Sequence, residues 1–145
     1  MSKDAVEILL VQDNPDDEEL AITALKRNNL ANAIDVARDG EEALEYLKRC
    51  GDGPPKVILL DLKLPKVSGL EVLKFIKGNP VTRTIPVVVL TSSREDRDIV
   101  ESYQLGVNSY IVKPVTFGQF NDSVQRIGMY WLLLNETNAP MAAGP

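Results

Sequence analysis

Three runs of aliphatic residues each stop on a polar side chain. Ile8-Leu9-Leu10-Val11 stops at Gln12, Val57-Ile58-Leu59-Leu60 at Asp61, and Val87-Val88-Val89-Leu90 at Thr91. A shorter run, Tyr110-Ile111-Val112, stops at Lys113, and a weaker one covers Ile34 to Ala37. The first four do not alternate apolar with polar, so they are not strands with one face in water. Strands of this kind need cover on both faces, the condition of a parallel sheet.

The stretches between the runs carry helix starts. Asn14-Pro15 places a cap before a proline suited to the first helical position. Asp39-Gly40-Glu41-Glu42, Ser68-Gly69-Leu70-Glu71 and Thr116-Phe117-Gly118-Gln119 have the spacing of a capping box, and Val115 and Phe120 flank the last as a hydrophobic staple. Ser93 to Asp96 opens a further helix, which Gly106 closes. The order is β-α five times over. With right-handed crossovers this predicts an α/β fold: a doubly wound (βα)5, flavodoxin-like, parallel five-stranded sheet in the order 2-1-3-4-5, helices on both faces. At 145 residues one domain is expected. The lone cysteine, Cys50, allows no disulfide within the chain.

In an open α/β sheet, ligands gather outside the carboxyl ends of the strands. Asp13, Asp61, Thr91 and Lys113 should therefore meet on one rim. Any one of them alone is more often a helix cap or a turn residue. Four at matching strand ends have a chemical logic. Paired carboxylates call for a cation, and all-oxygen ligation favours Mg²⁺, which keeps waters and suits phosphoryl groups. A lysine supplies positive charge for phosphate and a threonine a hydroxyl donor. One carboxylate is then free to attack phosphorus and form an aspartyl phosphate.

Other classes are disfavoured. The chain has no histidine, which removes imidazole metal sites, Ser-His-Asp triads and any histidine phosphorelay within it. Its net charge of −5 disfavours direct contact with nucleic acid. The longest apolar run, Met129 to Leu134, falls far short of the ~20 residues that span a bilayer. Met1 to Glu7 lacks the apolar stretch of a signal peptide, so a cytoplasmic location is expected.

The motifs Ile-Leu-Leu-Val-Gln-Asp-Asn at 8–14, Leu-Leu-Asp-Leu-Lys-Leu-Pro at 59–65 with Ser68-Gly69, Val-Leu-Thr-Ser at 89–92 and Tyr-Ile-Val-Lys-Pro at 110–114 resemble a response-regulator receiver domain of two-component signalling. Asn-Pro-Asp-Asp at 14–17, Arg38-Asp39-Gly40, Ile85 to Thr91 and Tyr130-Trp131 resemble single-domain regulators of phytochrome-type histidine kinases. The resemblance implies that residues 1–128 form the receiver domain and 129–145 an extension of the last helix with a short tail. It implies that Asp61 accepts a phosphoryl group from a phosphohistidine on a partner kinase. Mg²⁺ would be held by Asp13, Asp61 and the backbone carbonyl of Lys63, with Gln12 reaching it through a water. Lys113 would pair with the phosphoryl group, across a Lys113–Pro114 bond expected to be cis. Thr91 would swing to the phosphoryl group and Tyr110 follow it inward, while small Ser92 leaves access to Asp61. Gln12 departs from the family, which usually has an acidic residue there, so weaker Mg²⁺ binding is expected.

Phe120, Val124, Ile127 and Trp131 form one helical stripe, but Met129, Tyr130, Leu132, Leu133 and Leu134 make the helix end apolar all round. An isologous homodimer is expected to bury them together with Tyr110. Output would then run through phosphorylation-dependent protein contacts. The alternatives are a Mg²⁺-dependent phosphatase or hydrolase using Asp61 as nucleophile, a phosphorylation-independent docking module, and a flavin-binding module. The last is disfavoured by the acidic loop at Asp13, Asp16 and Asp17, which repels a flavin phosphate.

Overall fold

A computed structural model describes residues 8–27, 33–50, 53–92, 95–113, 116, 118–122 and 125. Among them run β1 (Ile8–Val11), α1 (Pro15–Arg27), β2 (Ile34–Ala37), α2 (Gly40–Arg49), β3 (Val57–Leu60), α3 (Gly69–Gly78), β4 (Val87–Thr91), α4 (Asp96–Leu105) and β5 (Ser109–Val112). All strands are parallel, in the order β2-β1-β3-β4-β5, as the aliphatic runs require.

Period-two alternation splits each aliphatic run between two cores. Leu9, Val11, Ile58, Leu60, Val87 and Val89 face one layer, against Ala43 and Leu47 of α2 and Val72, Leu73 and Ile76 of α3. Ile8, Leu10, Leu59, Val88 and Leu90 face the other, against Ala21, Ala24 and Leu25 of α1 and Phe120 of the helical residues 118–122. Each such side chain contributes roughly 1.5–3 kcal/mol by leaving water.

The helix starts follow the predicted chemistry. Asn14 Oδ1 accepts from the N–H groups of Asp16 and Asp17 at 2.8 and 3.0 Å. Asp39 Oδ1 accepts from Glu42 N–H at 2.7 Å, and Ser68 Oγ from Glu71 N–H at 3.2 Å. Thr116 and Gln119 close a reciprocal box, each side chain accepting from the other's N–H. At α2 the return bond is displaced: the Glu42 carboxylate accepts from Arg38 N–H, one residue before the cap. The start of α4 falls at Asp96, within the predicted opening. It is capped by Glu95, whose side chain makes no cap hydrogen bond, and Ser93 lies outside the described residues. Gly106 closes α4 as predicted, at φ 102°, with its N–H donating to Ser102 and Tyr103 carbonyls. The Lys113–Pro114 bond, the hydrophobic staple and everything from Arg126 onward also fall outside the described residues.

Candidate functional site

Parallel strands end together, so Gln12, Asp61, Thr91 and Lys113 share one rim. Two hydrogen bonds extend the ladder there: Asp61 N–H to the Val11 carbonyl at 3.0 Å and Lys113 N–H to the Thr91 carbonyl at 2.8 Å. The rim encloses a cavity of about 480 Å³ whose polar lining is Gln12, Asp13, Asn14, Asp17, Asp61, Lys63, Ser92 and Lys113.

Asp61 is buried, only 4% exposed. Its Oδ1 accepts from Lys63 N–H at 3.0 Å and its Oδ2 from Lys113 Nζ at 3.1 Å. Both oxygens therefore have a donor, and the carboxylate is fixed in rotation. Lys113 Nζ also donates to Asp17 Oδ2, at 2.7 Å. Burial alone would pull the lysine pKa down. The bond from Asp17 and the field of Asp61 outweigh it and hold the ammonium above its ordinary value. Lys113 thus presents a charged ammonium in the cavity lining.

Sequence reasoning missed Asp17, treating it only as part of an acidic loop. The signal was present in Asn14-Pro15, which fixes the start of α1 and so places residue 17 in its first turn, above β1.

The remaining predicted residues divide. Asp13 is exposed and lines the cavity beside Asp61. Gln12 is 2% exposed, and its Oε1 accepts from Asn14 N–H at 3.1 Å. The residue also lines the cavity, and the same oxygen keeps a second lone pair. Thr91 is fully buried and is not part of the cavity lining, because it closes strand β4, paired with Val112, instead of following it. Its side chain is on the same sheet face as Val89 and Tyr110, which pair with each other. Tyr110 is half-buried against the core of that face. A Thr91 hydroxyl that reaches the cavity has to rotate there.

The loop after β3 is held tightly. Lys66 adopts φ 69°, and Gly69 N–H donates to the Leu62 carbonyl at 2.9 Å. Lys66 Nζ lies 3.7 Å from both Asp39 and Glu41, exposed pairs worth at most ~1 kcal/mol each. Among the described residues no three acidic, histidine or cysteine side chains form a ready metal cage. Asp13 and Asp61 instead line the open cavity, with Asp17 as a third carboxylate.

Residues 8–125 match the family model for the response regulator receiver domain. The chain belongs to that family. This receiver domain is 42% identical over 142 residues to the probable methanogenesis regulatory protein FilR2 of Methanothrix harundinacea, covering 96% of this chain and 92% of that protein. It is 42% identical over 129 residues to response regulator Rcp1 of Synechocystis sp., covering 86% and 88%. A structure of Rcp1 in its Mn²⁺-bound form has a TM-score of 0.77 at 41% identity, covering 88% of this chain and 94% of that one. The phosphorylated cyanobacterial phytochrome response regulator RcpA has a TM-score of 0.79, at the same identity and coverage. The fold and the phytochrome-linked receiver family read from the motifs both hold. No helix among the described residues of this receiver domain is long and apolar enough to cross a membrane.

Proposed function

We propose that this receiver domain takes a phosphoryl group onto Asp61 from the phosphohistidine of a phytochrome-type sensor kinase. The observation that carries the reading is the buried Asp61 carboxylate, fixed at one oxygen by Lys63 N–H and at the other by a charged Lys113. A nucleophile so oriented spends little entropy on reaching phosphorus. Lys113 sits where charge collects on the transferring group, and Thr91 supplies a hydroxyl to it once rotated. Rcp1 has been solved with Mn²⁺. Here the open edge of Asp13 and Asp61 suits a hard cation that retains waters, Mg²⁺, with the Lys63 carbonyl completing the protein ligands. When bound, such a cation neutralises phosphoryl oxygens during transfer. The domain turns over no substrate in this reading: it is modified, and slowly loses the modification. A small-substrate phosphatase has no observation in its favour.

The test is intact-mass spectrometry after incubation with acetyl phosphate. Wild type is expected to gain one phosphoryl group with Mg²⁺ present and none after chelation, and Asp61→Asn to gain none. A wild type that gains nothing would overturn the reading and leave a phosphorylation-independent docking module.

Residues 1–128 are proposed as the receiver domain and 129–145 as its helical extension and tail. Signalling from a cytoplasmic location is proposed to run through an isologous homodimer, without nucleic acid or membrane contact. Tyr110 and the apolar residues Met129, Tyr130, Leu132, Leu133 and Leu134 would form its interface. Support comes from α4, where Val100 and Tyr103, one turn apart, are 54% and 51% exposed. Truncation after Gly128 is expected to halve the mass seen by light scattering, whereas an unchanged mass would refute this interface.

A further inference from the structure

The acidic first turn of α1 holds Asp16, Asp17 and Glu18. Acids in that position usually face water and favour the helix dipole. Asp17 does more: it makes the shorter of the two bonds at Lys113 Nζ, 2.7 Å against 3.1 Å to Asp61. It does so across 96 residues of sequence, over the cavity that Asp61 lines. Gln12, beside it on the cavity wall, is neutral and accepts from Asn14 N–H. Three carboxylates, Asp13, Asp17 and Asp61, line the cavity, and two of them, Asp17 and Asp61, hold the lysine.

We propose that Asp17 is a positioning residue that competes with the phosphoryl group for Lys113. It holds the ammonium while Asp61 is free and yields it when Asp61 is phosphorylated; the proposal rests on Asp61 as the acceptor. In the transfer from acetyl phosphate, an Asp61 carboxylate oxygen forms the new bond to phosphorus. The bond from phosphorus to the acetyl oxygen breaks, and its electron pair leaves on acetate. The phosphoryl oxygens then carry the charge that Lys113 neutralises, and Asp17 loses its partner. Its side chain is 32% exposed, so water and the N-terminal dipole of α1 take over its solvation. Asp17 thus opposes transfer by keeping the Lys113 ammonium occupied.

The experiment measures the initial rate of phosphorylation by subsaturating acetyl phosphate at saturating Mg²⁺, followed by intact mass. Asp17→Asn, isosteric and neutral, is expected to react about three to five times faster, the scale of one charge-assisted hydrogen bond discounted for exposure. Asp16→Asn removes the same charge from the same turn and is expected to match wild type. Asp17→Glu keeps the charge and is expected to stay near the wild-type rate. Equal acceleration by Asp16→Asn would reduce the effect to bulk charge and overturn the proposal. So would acceleration by Asp17→Glu, which would show that the charge is not what restrains Lys113. An unchanged or slower Asp17→Asn overturns it as well, and slowing with a higher Mg²⁺ requirement would place Asp17 on the metal instead. Failure of wild type to gain any phosphoryl group would sink the reading of Asp61 itself, a separate result.

Discussion

Gly69→Ala is expected to destabilise the domain by about 3 kcal/mol and to slow phosphorylation at least tenfold, the upper range for overpacking against a rigid neighbour. Gly69 is the first residue of α3, and its N–H bonds the Leu62 carbonyl at 2.9 Å. A Cβ at this position would run into the Asp61 carbonyl oxygen and the Leu62 Cα. Both are backbone atoms, so no side-chain rotation relieves the overlap. The loop has to move, and the loop carries Asp61 and the Lys63 N–H that holds its carboxylate. Its other strain point, Lys66 at φ 69°, leaves it little slack. Gly78 is the control. It ends α3 with nothing within 4 Å of a built Cβ, so Gly78→Ala should be neutral or stabilise by ~0.5 kcal/mol through the unfolded chain. Urea denaturation of the two variants would separate backbone crowding from glycine flexibility. A Gly69→Ala midpoint equal to wild type would show that the loop relaxes freely.

Most of this arrangement was legible because it depends on local patterns. Aliphatic runs ending on polar residues gave the strands, their order along the chain gave the parallel sheet, and the sheet put Asp61 and Lys113 on one rim. Capping residues marked the helices for the same reason: a cap acts over three or four residues. One feature was not legible, since it is a tertiary event. The Lys113–Asp17 bond joins residues far apart in sequence, and many acids were available to that lysine. Thr91 ends β4, as the aliphatic run predicts, and pairs with Val112. A strand that ends on it, not before it, buries its side chain on the sheet face it shares with Tyr110, one step away from the cavity. Strand ends are the least constrained part of a sequence pattern, and here one residue decides whether a hydroxyl is in place or has to swing.

Gln12→Glu is expected to tighten Mg²⁺ binding about tenfold, or 1.4 kcal/mol, the net of a strong attraction to a divalent ion and the cost of a buried charge. The opposing terms are both visible. Residue 12 is 2% exposed and adjoins Asp61, itself buried. A second buried carboxylate there is repelled by Asp61, and the Lys113 ammonium is already divided between Asp17 and Asp61. The metal-free variant is therefore expected to melt several degrees below wild type, a loss of about 1–2 kcal/mol for a domain of this size. Added Mg²⁺ should recover that loss, since a ligand bound only by the folded state stabilises it by mass action. Gln12 in wild type then reads as an exchange: a fold that stands without metal, at the expense of metal affinity. Calorimetric Mg²⁺ titration and thermal melts with and without the ion test both halves. Equal affinities would show that residue 12 does not feel the metal. A metal-free variant as stable as wild type would show that the Asn14 N–H solvates a carboxylate there as well as it does the amide.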